Sequence, residues 1–134
     1  MARSFKRGRS AGFTLLEMMI VMIIMGVLMS IALPIYNQSL VRSREAVLRQ
    51  DLFTLRSLIS QYTLDKQKAP QSLDDLVQGG YLKVIPKDPM TNEANWEVVQ
   101  EDILLTVDQQ DPGISDVHSA SSATATDGTA YSSW

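Results

Sequence analysis

Gly12-Phe13-Thr14-Leu15-Leu16-Glu17-Met18-Met19-Ile20-Val21-Met22-Ile23-Ile24-Met25-Gly26-Val27-Leu28-Met29-Ser30-Ile31-Ala32-Leu33 is the stretch on which the fold turns. From Phe13 to Leu33 every residue is apolar or small except Thr14, Glu17 and Ser30. A helix over these 21 residues would be roughly 32 Å long, about one hydrocarbon thickness. A chain of 134 residues could not bury a helix that is apolar on every face, so a soluble core helix is disfavoured.

The flanks give the segment a direction. Arg3, Lys6, Arg7 and Arg9 precede it without an acid among the first twelve residues, and no second apolar run of comparable length follows. Together they predict a single pass with residues 1–12 in the cytoplasm and the rest outside. An ordinary secretory signal has a shorter apolar core and a small-residue cleavage site on its far side. Here the far side reads Ile31-Ala32-Leu33-Pro34-Ile35-Tyr36, a poor fit, and the short basic leader ends at Gly12 on the near side.

Glu17 separates an inert anchor from something more specific. An ionisable group in an apolar span costs a few kcal/mol even near its edge, so it marks a function and requires a partner. Cutting the chain between Gly12 and Phe13 would create an α-amine four residues before Glu17, on the same helical face. The bland alternative is a carboxylate that snorkels to the head groups. Pro34 removes one helix hydrogen bond and Gly26 lowers helix propensity by roughly 1 kcal/mol relative to Ala, so residues 26–34 are where the helix is expected to bend or melt. Close packing of neighbouring helices explains Gly26 equally well.

Arg3-Ser4-Phe5-Lys6-Arg7-Gly8-Arg9-Ser10-Ala11-Gly12-Phe13-Thr14-Leu15-Leu16-Glu17 resembles the prepilin leader and cleavage site of type IV pilins and of type II secretion pseudopilins. The resemblance implies cleavage after Gly12 by a prepilin peptidase and N-methylation of Phe13. It also implies pairing of Glu17 with the N-terminal amine of a neighbouring subunit during assembly. Gly26 and Pro34 fall where that family has a helix-softening Gly and a Pro.

After Pro34 the pattern becomes amphipathic. Val41, Leu48, Leu52, Leu55, Ile59 and Tyr62 share one face, and Arg42, Arg44, Glu45, Arg49, Asp51 and Arg56 are assigned mostly to the solvated remainder. A continuous helix from Phe13 to about Leu64 would be roughly 78 Å long. Lys66, Lys68 and Pro70 mark its end. Ser72 then caps a short helix over 73–78, which Gly79-Gly80 stops. Tyr81 to Pro89 reads as an extended stretch and a turn. Trp96–Gln100 and Ile103–Val107 read as a hairpin over 96–107 turning at Glu101-Asp102. Tyr62-Thr63-Leu64-Asp65, Ala69-Pro70, Ser72-Leu73-Asp74-Asp75-Leu76, Tyr81-Leu82-Lys83 and Pro86-Lys87-Asp88-Pro89 resemble the major, G-type pseudopilin of type II secretion systems. Met90 to Trp96 departs from the aromatic-Gly-Asn-Pro turn usual there.

Residues 108–134 read as an acidic loop rich in Ser, Thr, Ala and Gly, unable to hold itself by burial. From Asp88 onward there are nine acids and neither Lys nor Arg, which argues against nucleic-acid binding. The chain lacks cysteine, so disulfides, thiolate zinc sites and thiol nucleophiles are excluded. Major pseudopilins bind calcium in the loop after their strands, and the resemblance implies Asp108, Asp111 and Asp116 as candidate ligands here. Backbone carbonyls around Pro112-Gly113 would complete an oxygen set. The alternative is a solvated acidic loop ordered by subunit contacts. Ser115, Asp116 and His118 invite a hydrolase reading, but they crowd one polar stretch, whereas a catalytic triad assembles from separate positions on a rigid scaffold. An enzyme is not expected.

The expected fold is α+β: a long N-terminal helix packed on a small antiparallel sheet with an acidic C-terminal loop. Residues 1–12 form the cleaved leader, 13–33 the membrane and filament-core helix, and 34–134 the periplasmic domain. The function the resemblance implies is a subunit that polymerises through its N-terminal helix into a periplasmic pseudopilus. Its partners would be the lipid bilayer, a prepilin peptidase, an inner-membrane assembly platform and minor pseudopilins, with a secretin as a further candidate. A surface type IV pilin for adhesion, motility or DNA uptake is the alternative. A single-pass periplasmic module that never polymerises is a third class, which would have no use for Gly12-Phe13 or Glu17.

Overall fold

The computed structural model describes residues 12–102 and 112–134. The chain divides into two compact units, Met1–Gln38 and Ser39–Trp134. Helix α1 (Leu15–Lys66) contributes to both.

In the first unit every described residue is exposed. Among the described residues α1 is the one helix long and apolar enough to cross a membrane, with a mean hydropathy of 2.6 in its best window. The anticipated weak point stays helical, because α1 runs through both Gly26 and Pro34. Ser30 Oγ donates to the Val27 carbonyl at 2.7 Å one turn before Pro34, a back-bond of the kind that accompanies local helix bending.

The second unit is built on the amphipathic turns of α1. Leu48, Leu52, Leu55 and Ile59 are buried there, as their spacing predicts. Val41, assigned to the same stripe, is exposed, and Tyr62 at its other end is half-buried and meets Tyr81 edge to face at 5.4 Å. Against these residues pack Leu73 and Leu76 of α2 (Leu73–Gln78), Trp96, Ile114, Val117, Ala125 and Tyr131. Helix α2 starts at the expected cap. Asp75 reaches back to accept the N–H groups of Gln71 and Ser72, satisfying donors that the first turn leaves open. Gly80, at φ +79, takes the left-handed conformation that ends it.

The sheet has two antiparallel strands among the described residues, β1 (Glu97–Asp102) and β2 (Pro112–His118). The register pairs Glu97 with His118 and Asp102 with Pro112, with a bulge after Val99. This corrects the expected hairpin over 96–107. Glu101 and Asp102 lie inside β1 rather than in a turn, and the strand paired with β1 is drawn from the stretch read as loop. The reason is burial: Ile114 and Val117 are fully enclosed, and two enclosed aliphatics suffice to fix one face of a strand. Residues 103–107, the expected return strand, lie outside the described residues.

Nor are residues 112–134 a loop throughout. After β2 comes an isolated bridge between Thr124 and Ala130, then a 3-10 turn at Tyr131–Ser133. Gly113 lies so close to the chain that a Cβ there would collide with Ala69 Cβ. That approach lets Ile114 N–H donate to the Pro70 carbonyl at 2.8 Å and Gln71 Nε2 to the Pro112 carbonyl at 2.6 Å.

Candidate functional site

At the head of α1, Thr14 is the cap. Its Oγ1 accepts the Glu17 N–H at 3.2 Å, and its carbonyl accepts the Met18 N–H at 3.2 Å. The Thr14-Leu15-Leu16-Glu17 spacing is that of a capping box, a further signal of this helix start in the sequence. Only half of the box is closed. Among the described residues the Glu17 carboxylate has neither a hydrogen-bond nor an ion-pair partner, although the first helical turn favours its negative charge. Phe13 stands just before the cap with 77% of its surface exposed, and Gly12 is exposed beside it. Gly12, Phe13 and Glu17 thus lie close together along the chain at the head of an apolar helical stretch whose side chains are exposed in their own unit.

The candidate calcium ligands fare differently. Asp108 and Asp111 lie outside the described residues. Asp116 is engaged within the chain: its Oδ1 accepts Arg56 Nε–H at 2.6 Å, and its Oδ2 lies 3.5 Å from His118 Nε2. Burial pulls the Asp116 carboxyl up, but the Arg56 hydrogen bond, the Val117 N–H and the nearby positive charge hold it below the usual carboxylate range. Among the described residues no three Asp, Glu or His side chains converge as a metal set.

The residues that invited a hydrolase reading are separately engaged. Ser115 Oγ donates to the Val99 carbonyl, and His118 Nδ1 lies 2.5 Å from the Trp134 main-chain oxygen. That oxygen can only accept, so Nδ1 carries the proton.

Two side chains assigned to the solvated face of α1 are instead internal anchors. Glu45 is 3% exposed and accepts from Thr126 N–H at 2.8 Å, Thr126 Oγ1–H at 2.7 Å and Tyr131 O–H at 2.8 Å. Burial raises the Glu45 carboxyl, but these three donors and the Arg49 charge more than offset it, and its pKa falls below the ordinary value. Arg56 Nη2 donates to the Val117 carbonyl and the Trp134 oxygen, while its Nε holds Asp116. A signal for Glu45 was present in the spacing. Val41 and Leu48 are seven apart on the stripe, and Glu45 fills the intermediate position, four after one and three before the other.

A family described as the prokaryotic N-terminal methylation motif matches residues 7–33. The chain is also similar to type II secretion system core protein G of Aeromonas hydrophila, at 34% identity over 105 residues, 65% of this chain and 72% of the relative. The protein of the same name from Vibrio cholerae serotype O1 is 34% identical over 108 residues, covering 68% and 73% respectively. That of Escherichia coli K12 is 33% identical over 103 residues, covering 63% and 70%. No solved structure matches.

Proposed function

Because the chain belongs to the type II secretion system core protein G family, we propose that it is a structural subunit that polymerises into a periplasmic pseudopilus and drives protein secretion. The relatives' shared name favours this over the surface-pilus alternative. The role is mechanical rather than catalytic. The observation that carries the reading is the head of α1, where a methylation motif and a single carboxylate open an exposed, predominantly apolar stretch up to Leu33.

In this reading a prepilin peptidase cuts between Gly12 and Phe13, and the amine of Phe13 is methylated. The helix over 13–33 then holds the subunit in the inner membrane, N-terminus cytoplasmic and domain periplasmic, until the assembly platform extracts it. Transfer into a filament exchanges one apolar setting for another, so the hydrophobic term is nearly neutral and specific contacts decide the outcome. The Glu17 carboxylate supplies one by meeting the Phe13 amine of another copy, an ion pair that exists only after cleavage. Gly26 and Pro34 supply the give that packing such helices side by side requires. Minor pseudopilins and a secretin complete the expected set of partners.

Mass spectrometry of the protein isolated from cells with and without a prepilin peptidase tests the first step. The expected N-terminus is methylated Phe13 in the first case and an intact leader in the second. Persistence of the leader in both refutes it.

A further inference from the structure

The acceptors around Arg56 are the kind a hard cation would collect: one carboxylate oxygen of Asp116 at 2.6 Å and the main-chain oxygens of Val117 and Trp134 at 2.9 and 2.7 Å. Their number and disposition suit a different ion. Calcium takes six to eight oxygens around a sphere, whereas a guanidinium offers five N–H donors in one plane. Here three donor–acceptor contacts use one edge of that plane, through Nε and Nη2.

The second anchor has the opposite sign. Glu45, eleven residues earlier on α1, gathers three donors from Thr126 and Tyr131. Between the two anchors Arg49 lies 4.3 Å from the Trp134 ring centroid and 3.8 Å from Asp127. Residues 112–134 are therefore tied to α1 at both ends, through Asp116 and Val117 at one, and through Thr126, Tyr131 and Trp134 at the other.

We propose that Arg56 is the resident cation of the C-terminal segment and Glu45 its resident anion, so that residues 112–134 are held on α1 without a metal ion. The polar, aliphatic-poor composition of that segment is then compensated from within the chain. The inference concerns how the domain is held and stands apart from the filament role, so either can fail without the other.

The test is thermal unfolding of the full chain in detergent, followed by tryptophan fluorescence, since Trp96 and Trp134 both lie in the second unit. A ligand that binds only the folded state raises the midpoint, and by more as its concentration exceeds its Kd. The expected result is the same midpoint in chelator and in millimolar calcium. Arg56→Ala should lower the midpoint by about 5–10 °C in both conditions, a loss kept modest by the partial exposure of the ion pair. Arg56→Lys, which keeps the charge but not the fork, should recover part of that loss. A wild-type midpoint that rises with calcium or falls with chelator overturns the proposal. So does an Arg56→Ala variant that melts with the wild type.

Discussion

The two units of this chain contrast in where their partners come from. In residues 12–38 the side chains are mostly apolar and exposed, so in the proposed reading lipid or other copies satisfy them. Among the described residues of 39–134 the core's partners are internal, and they include charges: a carboxylate that is 3% exposed and a guanidinium with three acceptors. Glu17 and Glu45 make the contrast concrete. Both are acids on α1; among the described residues one has no partner and the other has three. In the proposed reading the first carboxylate serves assembly, whereas the second serves the fold.

The same truncation should therefore have unequal effects in the two regions. Leu48→Ala empties a fully enclosed site and should destabilise the domain by about 2–5 kcal/mol, seen as a lower midpoint in fluorescence-monitored unfolding. Val27→Ala, at a residue that is 55% exposed, should leave that midpoint unchanged. Equal losses from the two would break the distinction between the regions.

Glu45→Gln comes next in size, at about 1–3 kcal/mol, because one amide oxygen replaces two carboxylate oxygens facing three donors. The acid limb of the stability curve sharpens this. Glu45 and Asp116 both have folded pKa values below their ordinary ones, so each contributes stability above its unfolded pKa that is lost as pH falls through the folded pKa. Asp51 works in the opposite sense. Burial and the neighbouring Asp88 raise its carboxyl, so its penalty near neutrality is relieved as the solution becomes acid. Unfolding midpoints measured downward from pH 6 should fall for the wild type and fall less for Glu45→Gln. At the alkaline end Tyr131, pushed up to about 12 by burial and Glu45, gives stability that is whole up to its ordinary value of 10 and is lost above it. A small effect should belong to Phe53→Ser, at a residue 68% exposed, within about 0.5 kcal/mol in the same unfolding assay.

How much of this was legible in the sequence follows the same division. The apolar helix of the first unit was legible in the sequence, because a long apolar run is a local pattern of length and composition, although Gly26 and Pro34 did not interrupt it. Leu48, Leu52, Leu55 and Ile59 were legible for the same reason, through helical period. The strand at Pro112–His118 was not, since Ile114 and Val117 are three apart across a bulge and give no clean alternation. Glu45 and Arg56 were assigned to solvent because charge is usually a sign of exposure. Their partners lie 60 to 86 residues away, beyond any window that reads periodicity. Asp116 could be recognised as a residue with a cation, but the cation in the structure is Arg56.

The central claim is that the Glu17 carboxylate at the head of α1, without a partner among the described residues, is an assembly contact, and Glu17→Ala tests it most directly. The variant is to be expressed with the prepilin peptidase and the secretion machinery, and its processing, membrane insertion and filament yield measured side by side. The account predicts a chain cleaved after Gly12, inserted in the membrane and folded in its domain, with filaments absent or out of register. Filaments of normal yield and register from that variant would contradict it.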